Sequence, residues 1–154
     1  MSQPFTLNER VRWIDCDAAQ IIYYGAYVRF FEIAETEMYR SIGLPYAVAF
    51  TTLNCFPIRA AYHCEYRSPA RLDDLMEIAI WVSHWGRTSF TISFRFLRAG
   101  TDVVLADGYC RLVTVDLHEK RPLPIPDLLR EGLQRYTVID APGGEPAPAT
   151  GASA

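Results

Sequence analysis

The longest helical pattern in the chain runs from Tyr27 to Ile42, directly after a loop that carries Asp15 and Asp17. Apolar residues fall at Tyr27, Phe30, Phe31, Ala34, Met38 and Ile42, which on a helical wheel cover an arc of roughly 120°, with Arg29, Glu32, Thr36 and Arg40 opposite. Gly43 and Pro45 supply the stop signals at its C-terminal end. A helix with one broad apolar stripe has to bury that stripe against something. The rest of the chain offers strands.

Residues 5–14 alternate loosely through Phe5, Leu7, Val11 and Trp13 and read as a first strand entering the Asp15/Asp17 loop. After the helix, Tyr46 to Phe50 has the character of one further helical turn. Four strand patterns then follow. Residues 56–66 carry Phe56, Ile58, Ala60, Tyr62, Cys64 and Tyr66 at even positions, with Arg59, His63 and Glu65 among the odd ones. Residues 75–85 align Met76, Ile78, Ile80 and Val82 on one face. In the cleanest strand, Phe90, Ile92, Phe94 and Phe96 oppose Ser89, Thr91, Ser93 and Arg95. Residues 99–102 make a hairpin turn into residues 103–116. There Ala106, Gly108 and Cys110 form a line of small residues that invites close approach, and the helix is the expected neighbour. Pro126 opens a short final helix over residues 127–136. The order predicts an α+β fold, an antiparallel five-stranded sheet with one long central helix covering it.

At 154 residues the chain suits one domain, expected over residues 1–140. Residues 141–154, rich in Pro, Gly, Ala and Thr, read as a disordered tail. The net charge of −3 gives no basis for nucleic-acid binding. No charged-then-apolar leader and no apolar run of membrane length is present, so no membrane role is expected. Cys16, Cys55, Cys64 and Cys110 lack CxxC spacing and fit a reduced, cytoplasmic chain in which they are buried as small apolar residues.

No GxSxG elbow is present, and none of the three histidines lies in a nucleophile motif. His63-Cys-Glu65 has the spacing of a deaminase HxE, but no PCxxC follows, and on an alternating strand the pair falls on a solvent or interface face. That leaves Asp15-Cys16-Asp17. Both aspartates can serve as loop or cap residues bonded to nearby N–H groups. Alternatively, one carboxylate attacks, or activates water against, a carbonyl held at the helix start. Near Tyr24-Gly25 no Ser, Thr, Asp or Asn caps the helix, so either its first N–H groups are open to a substrate oxygen or Gly25, a tolerated cap, simply starts the helix.

The segment Asp15-Cys-Asp-Ala-Ala-Gln-Ile-Ile-Tyr-Tyr-Gly-Ala-Tyr27, with Phe31-Glu-Ile-Ala34 after it, resembles the signature of the 4-hydroxybenzoyl-CoA thioesterase family. The likeness continues at Tyr66-Arg-Ser-Pro-Ala70 with Asp74, Gly86-Arg-Thr-Ser-Phe90, Val115-Asp116 and Pro122-Leu-Pro-Ile-Pro126. It implies the hotdog fold, a sheet around a central helix, with a homodimer or homotetramer as the working unit. By position it implies Asp17 as nucleophile or general base and the Tyr24 backbone N–H as the group that polarises the thioester carbonyl. Glu32 matches the helix carboxylate that meets an aromatic acyl group. Arg87, Thr88 and Ser89 match the segment that meets the pantetheine and nucleotide of CoA, although a plain hairpin turn explains them equally. Tyr23 and Trp85 fit either an acyl pocket or the core. Gln20 stands where the family usually has Gly, which bears on the shape of the loop.

The expected activity is hydrolysis of an acyl-CoA, with the aromatic, hydroxybenzoyl type as the finer expectation, without metal or organic cofactor. A hotdog acyl-CoA hydratase, which would pair an Asp with a His, and a non-catalytic acyl-CoA binding module are the alternatives.

Overall fold

The computed structural model describes residues 1–139, so the expected tail at 141–154 lies outside the described residues. Its strands are β1 (Phe5–Arg10), β2 (Phe56–Tyr66), β3 (Leu75–Trp85), β4 (Ser89–Arg98) and β5 (Val104–Val115). They form one sheet in the order β1-β3-β4-β5-β2 with every pairing antiparallel. The helical part is divided between α1 (Ala26–Ser41), α2 (Tyr46–Leu53) and α3 (Asp127–Leu133), the last followed by a 3-10 turn at Gln134–Tyr136. The expected single long helix is therefore one 16-residue helix with two shorter companions.

α1 buries Tyr27, Phe30, Phe31, Ala34 and Met38 as its spacing requires, and Ile42 is the C-cap residue. These meet the inward side of β4, where Phe90, Ile92, Phe94 and Phe96 are fully buried. Tyr27 stacks on Phe96 with centroids 5.4 Å apart, Phe96 on Phe94 at 5.1 Å, and Phe94 on Tyr62 of β2 at 5.6 Å. A row of rings thus joins the start of α1 to the edge strand, each ring contributing large apolar area.

Three details differ from the sequence expectation. The first strand ends at Arg10, and Trp13–Asp15 form a 3-10 turn that leaves Trp13 86% and Ile14 77% exposed. Alternation across Val11 and Trp13 is therefore not strand periodicity. Second, β2 carries a bulge: its register against β5 shifts between Arg59 and Ala61. Arg59 pairs with Leu112, and Tyr62, Cys64 and Tyr66 pair with Cys110, Gly108 and Ala106, so Arg59 lies on the face of β2 that looks toward α1. There it meets Glu35, which is fully buried on α1 although it is charged. Third, a Cβ at Gly108 would run into the His63 carbonyl oxygen and the Phe94 ring. The close approach there is made by β2 and that ring, rather than by the helix.

Candidate active site

Asp15 and Asp17, equivalent as sequence, have opposite surroundings. Asp15 is 1% exposed, and its two carboxylate oxygens accept from Arg29 of α1 at 2.8 and 2.7 Å. It also accepts from the Arg12 backbone N–H at 2.8 Å, and its carbonyl takes the Tyr23 N–H at 3.0 Å. The Asp15 carboxylate thus ties the loop to α1 through Arg29, and its other bonds hold the loop together. Asp17 is exposed. Its Oδ1 accepts from the Ala19 N–H at 2.8 Å, its carbonyl from the Gln20 N–H at 2.9 Å, and its own N–H donates to Ile21 at 3.0 Å. One carboxylate oxygen is held by the turn, and the other has no hydrogen-bond partner among the described residues.

The turn needs a left-handed residue, and Gln20 supplies it at φ 62°. The departure from the family glycine therefore leaves the loop in a shape glycine adopts without strain. The loop is braced from the far side by residues 67–74: Ile21 bridges Arg71, and the Ile22 N–H donates to the Ala70 carbonyl at 2.9 Å. Cys16 lies between the two aspartates, and burial, with help from Asp15, Asp17 and Asp73, raises its thiol above the ordinary value. It stays protonated near neutrality and is a poor nucleophile.

α1 begins behind Gly25, which makes no side-chain cap. The Ala26 N–H donates back to Tyr23 at 3.0 Å and the Val28 N–H to Gly25 at 3.3 Å, whereas the Tyr24 N–H has no acceptor among the described residues. Asp17 and Tyr24 both line a cavity of about 380 Å³, walled by Ile22, Tyr23, Tyr27 and Tyr66. Tyr66 had no assigned role in the sequence, although its motif was visible. Its ring lies 5.4 Å from that of Tyr27 and its hydroxyl is directed at the Tyr24 carbonyl, 3.4 Å away. Arg67 also lines this cavity and is paired with Asp107 at 3.1 Å. Asp17 also lines a second cavity of about 480 Å³, with Trp13, Cys16, Gln20, Arg71 and Leu72.

The remaining expected residues do not converge with Asp17 in one chain. Glu32 is exposed on α1, accepts from Thr36 at 3.2 Å and lines neither cavity. Arg87 and Thr88 form the β3–β4 hairpin, with Ser89 opening β4. The Arg87 and Thr88 carbonyls accept from Ile125 and Thr114 at 2.9 and 2.8 Å, and the Ser89 carbonyl accepts from Gly86 at 2.7 Å. That hairpin caps the Trp85 end of β3, whereas the Asp17 loop follows Arg10, which pairs with Leu75 at the other end. Ten residues of strand separate the two, about 33 Å. Trp85 belongs to the core side: it packs on Phe90 and donates to Thr137 at 3.0 Å. Tyr23 lines the cavity. His63 is bonded to Glu65 at 2.9 Å on the exposed edge of β2. Among the described residues no three His, Cys, Asp or Glu side chains group to hold a metal, and no helix is long and apolar enough to cross a membrane.

Residues 11–133 match the Thioesterase-like superfamily, and the chain belongs to that family. Over 117 residues it is 32% identical to the acyl-CoA thioester hydrolase YbgC of Escherichia coli, covering 76% of this chain and 86% of that one. The 1,4-dihydroxy-2-naphthoyl-CoA hydrolase of Prochlorococcus marinus is 25% identical over 137 residues, 86% of this chain and 90% of that one. The crystal structure of Slr0204, a 1,4-dihydroxy-2-naphthoyl-CoA thioesterase from Synechocystis, superposes with a TM-score of 0.79 at 17% identity, covering 85% of this chain and 96% of that one. The hotdog expectation thus holds as a five-stranded antiparallel sheet with helices, its helical part divided in three.

Proposed function

We propose that the protein is an acyl-CoA thioesterase and that Asp17 and the Tyr24 N–H are its reacting and polarising groups. The observation that carries this reading is that Asp17, with one carboxylate oxygen unpartnered among the described residues, and Tyr24, whose N–H has no acceptor there, line the same cavity at the start of a helix. The thioester carbonyl oxygen accepts from Tyr24, and negative charge that develops on it is stabilised by the helix end. Asp17 as general base takes a proton from water as the water oxygen bonds to the carbonyl carbon. The C–S bond then breaks, and the proton passes to the departing CoA thiolate. Asp17 as nucleophile forms a mixed anhydride by the same C–S cleavage, which water then opens. A thioester lacks the resonance protection of an amide, so this set needs neither metal nor organic cofactor.

The acyl group enters the cavity of Tyr23, Tyr24, Tyr27 and Tyr66, whose rings favour an aromatic acyl group. Glu32 and the Arg87–Ser89 hairpin serve the reaction from a second copy of the chain. In support, β2 is an eleven-residue edge strand exposing Phe56, Ile58, Tyr62 and Tyr66, the kind of edge that pairs with another chain. The reading places the enzyme in the cytoplasm as a homodimer or a homotetramer.

Free-thiol release from benzoyl-, hydroxybenzoyl-, short- and long-chain aliphatic CoA thioesters tests the proposal. Release favouring the aromatic esters and falling at least a thousandfold in Asp17→Asn is expected. Hydrated acyl-CoA without free thiol identifies a hydratase instead. Binding without any turnover identifies a binding module.

A further inference from the structure

We infer that the second cavity beside Asp17 holds the phosphate-bearing arm of coenzyme A, with Arg71 as its phosphate ligand and Trp13 as its apolar wall. This rests on the thioesterase reading and assigns the leaving-group half of the site within a single chain.

The cavity measures about 480 Å³ and is lined by Trp13, Cys16, Asp17, Gln20, Arg71 and Leu72. Asp17 lines both cavities, so a thioester carbon placed against its carboxylate has one cavity for the acyl group and another for the departing arm. The two sides differ in chemistry. The Tyr66 side is walled by rings and partly buried residues, and the one cation there, Arg67, is already neutralised by Asp107 at 3.1 Å. On the Trp13 side the Arg71 guanidinium has no hydrogen bond or ion pair among the described residues, although Arg29, Arg59, Arg67 and Arg98 are all paired. A cation left without a partner beside a reactive carboxylate complements an anionic ligand. Coenzyme A is anionic at one end only, the end remote from the acyl group.

The position of Arg71 is built. Its backbone bridges Ile21 of the Asp17 loop, and its N–H donates to Asp74 at 3.0 Å. The side chain therefore starts from a point fixed relative to Asp17, while its charged end is free. Trp13 and Leu72, 86% and 47% exposed, flank it as apolar surface. The 3-10 turn that replaces the end of the expected first strand is what presents Trp13 there. Pantetheine laid along Trp13 covers that indole and brings the phosphates to Arg71.

Two measurements test the assignment. Free coenzyme A is titrated while tryptophan emission is recorded. Trp81 is buried and Trp85 half-buried, so an emission change on binding should come from Trp13 and vanish in Trp13→Phe. Arg71→Ala should weaken coenzyme A binding about tenfold, and Arg71→Lys should restore part of it because charge is retained. In parallel, kcat/KM is measured for the best CoA thioester and for its N-acetylcysteamine counterpart, which lacks the phosphates. Arg71→Ala should lose about tenfold more on the CoA ester than on the truncated one. Equal losses on both esters, or none on either, would overturn the assignment while the thioesterase reading stands. Coenzyme A binding that depends on Trp13 and Arg71, without turnover of any ester, would keep the assignment and sink the hydrolysis reading. Neither binding nor turnover would remove both.

Discussion

At the scale of single residues, the two aspartates show what sequence spacing can and cannot resolve. Asp15-Cys16-Asp17 announces that a carboxylate sits ahead of a helix, but not which one is consumed by structure. The distinguishing partner, Arg29, stands fourteen positions away on α1, and only folding brings it to Asp15. Asp15→Asn should therefore cost about 2–3 kcal/mol in urea unfolding, below the usual cost of breaking a buried pair because Arg29 remains partly exposed to water. Asp17→Asn should leave the unfolding free energy within about 0.5 kcal/mol of wild type, since the Ala19 bond survives with the amide oxygen, and abolish turnover. Reversed results for the two variants would exchange their roles. Gln20 yields a second prediction. A left-handed non-glycine residue is strained by about 1 kcal/mol, and the exposed Gln20 side chain makes no hydrogen bond among the described residues. Gln20→Gly should raise stability by about 0.5 kcal/mol once the extra chain entropy of glycine is subtracted. A fall in the melting temperature would show that the side chain itself holds the loop.

At the scale of elements, strand and helix positions were legible because periods of 2 and 3.6 differ, and β3, β4 and β5 start and stop close to where alternation does. The face of a residue was legible only while the period was unbroken. One extra residue at Ala60 shifts the phase of β2, so alternation counted through it puts Arg59 on the wrong side and gives Glu35 no visible partner. In the folded chain burial pushes the Glu35 carboxyl up, against two hydrogen bonds from Arg59, one of them 2.8 Å. Removing the cation with Arg59→Leu leaves a buried carboxylate with no opposite charge beside the Tyr46 hydroxyl and should cost about 3 kcal/mol at pH 7.5. The folded state of that variant holds its carboxyl proton to higher pH than the unfolded chain does. Its stability must therefore rise as pH falls through the folded-state value toward the unfolded one. Urea unfolding at pH 5 should show a clearly smaller deficit against wild type than at pH 7.5, and a deficit independent of pH would place the Glu35 charge outside the argument.

At the scale of the whole molecule, sequence order could not show that Asp17 and Arg87 end up at opposite ends of β3. Positional likeness places both at a thioester, and about 33 Å of strand keeps them apart within one chain. The two statements agree only if each site takes Asp17 from one copy and Arg87 from another, whereas Arg71, bridged to Ile21, must act in the same copy as Asp17. Mixed assemblies separate these cases. Let Asp17→Asn chains be unfolded and refolded together with an equal amount of Arg87→Ala chains. If the residues act from different copies, half of all sites carry Asp17, and half of those meet an intact Arg87, so about a quarter of wild-type activity should return. Pairing Asp17→Asn with Arg71→Ala should return far less, because no single chain then carries both groups. With each cation worth about tenfold at low substrate, that mixture should reach only about a twentieth of wild type. Recovery of a quarter in the second mixture and not the first would interchange the two arginines between the near and far copies. Half of wild-type activity in the first mixture would mean that Arg87→Ala costs nothing, and the reading of the β3–β4 hairpin as a plain turn would replace its role in binding coenzyme A.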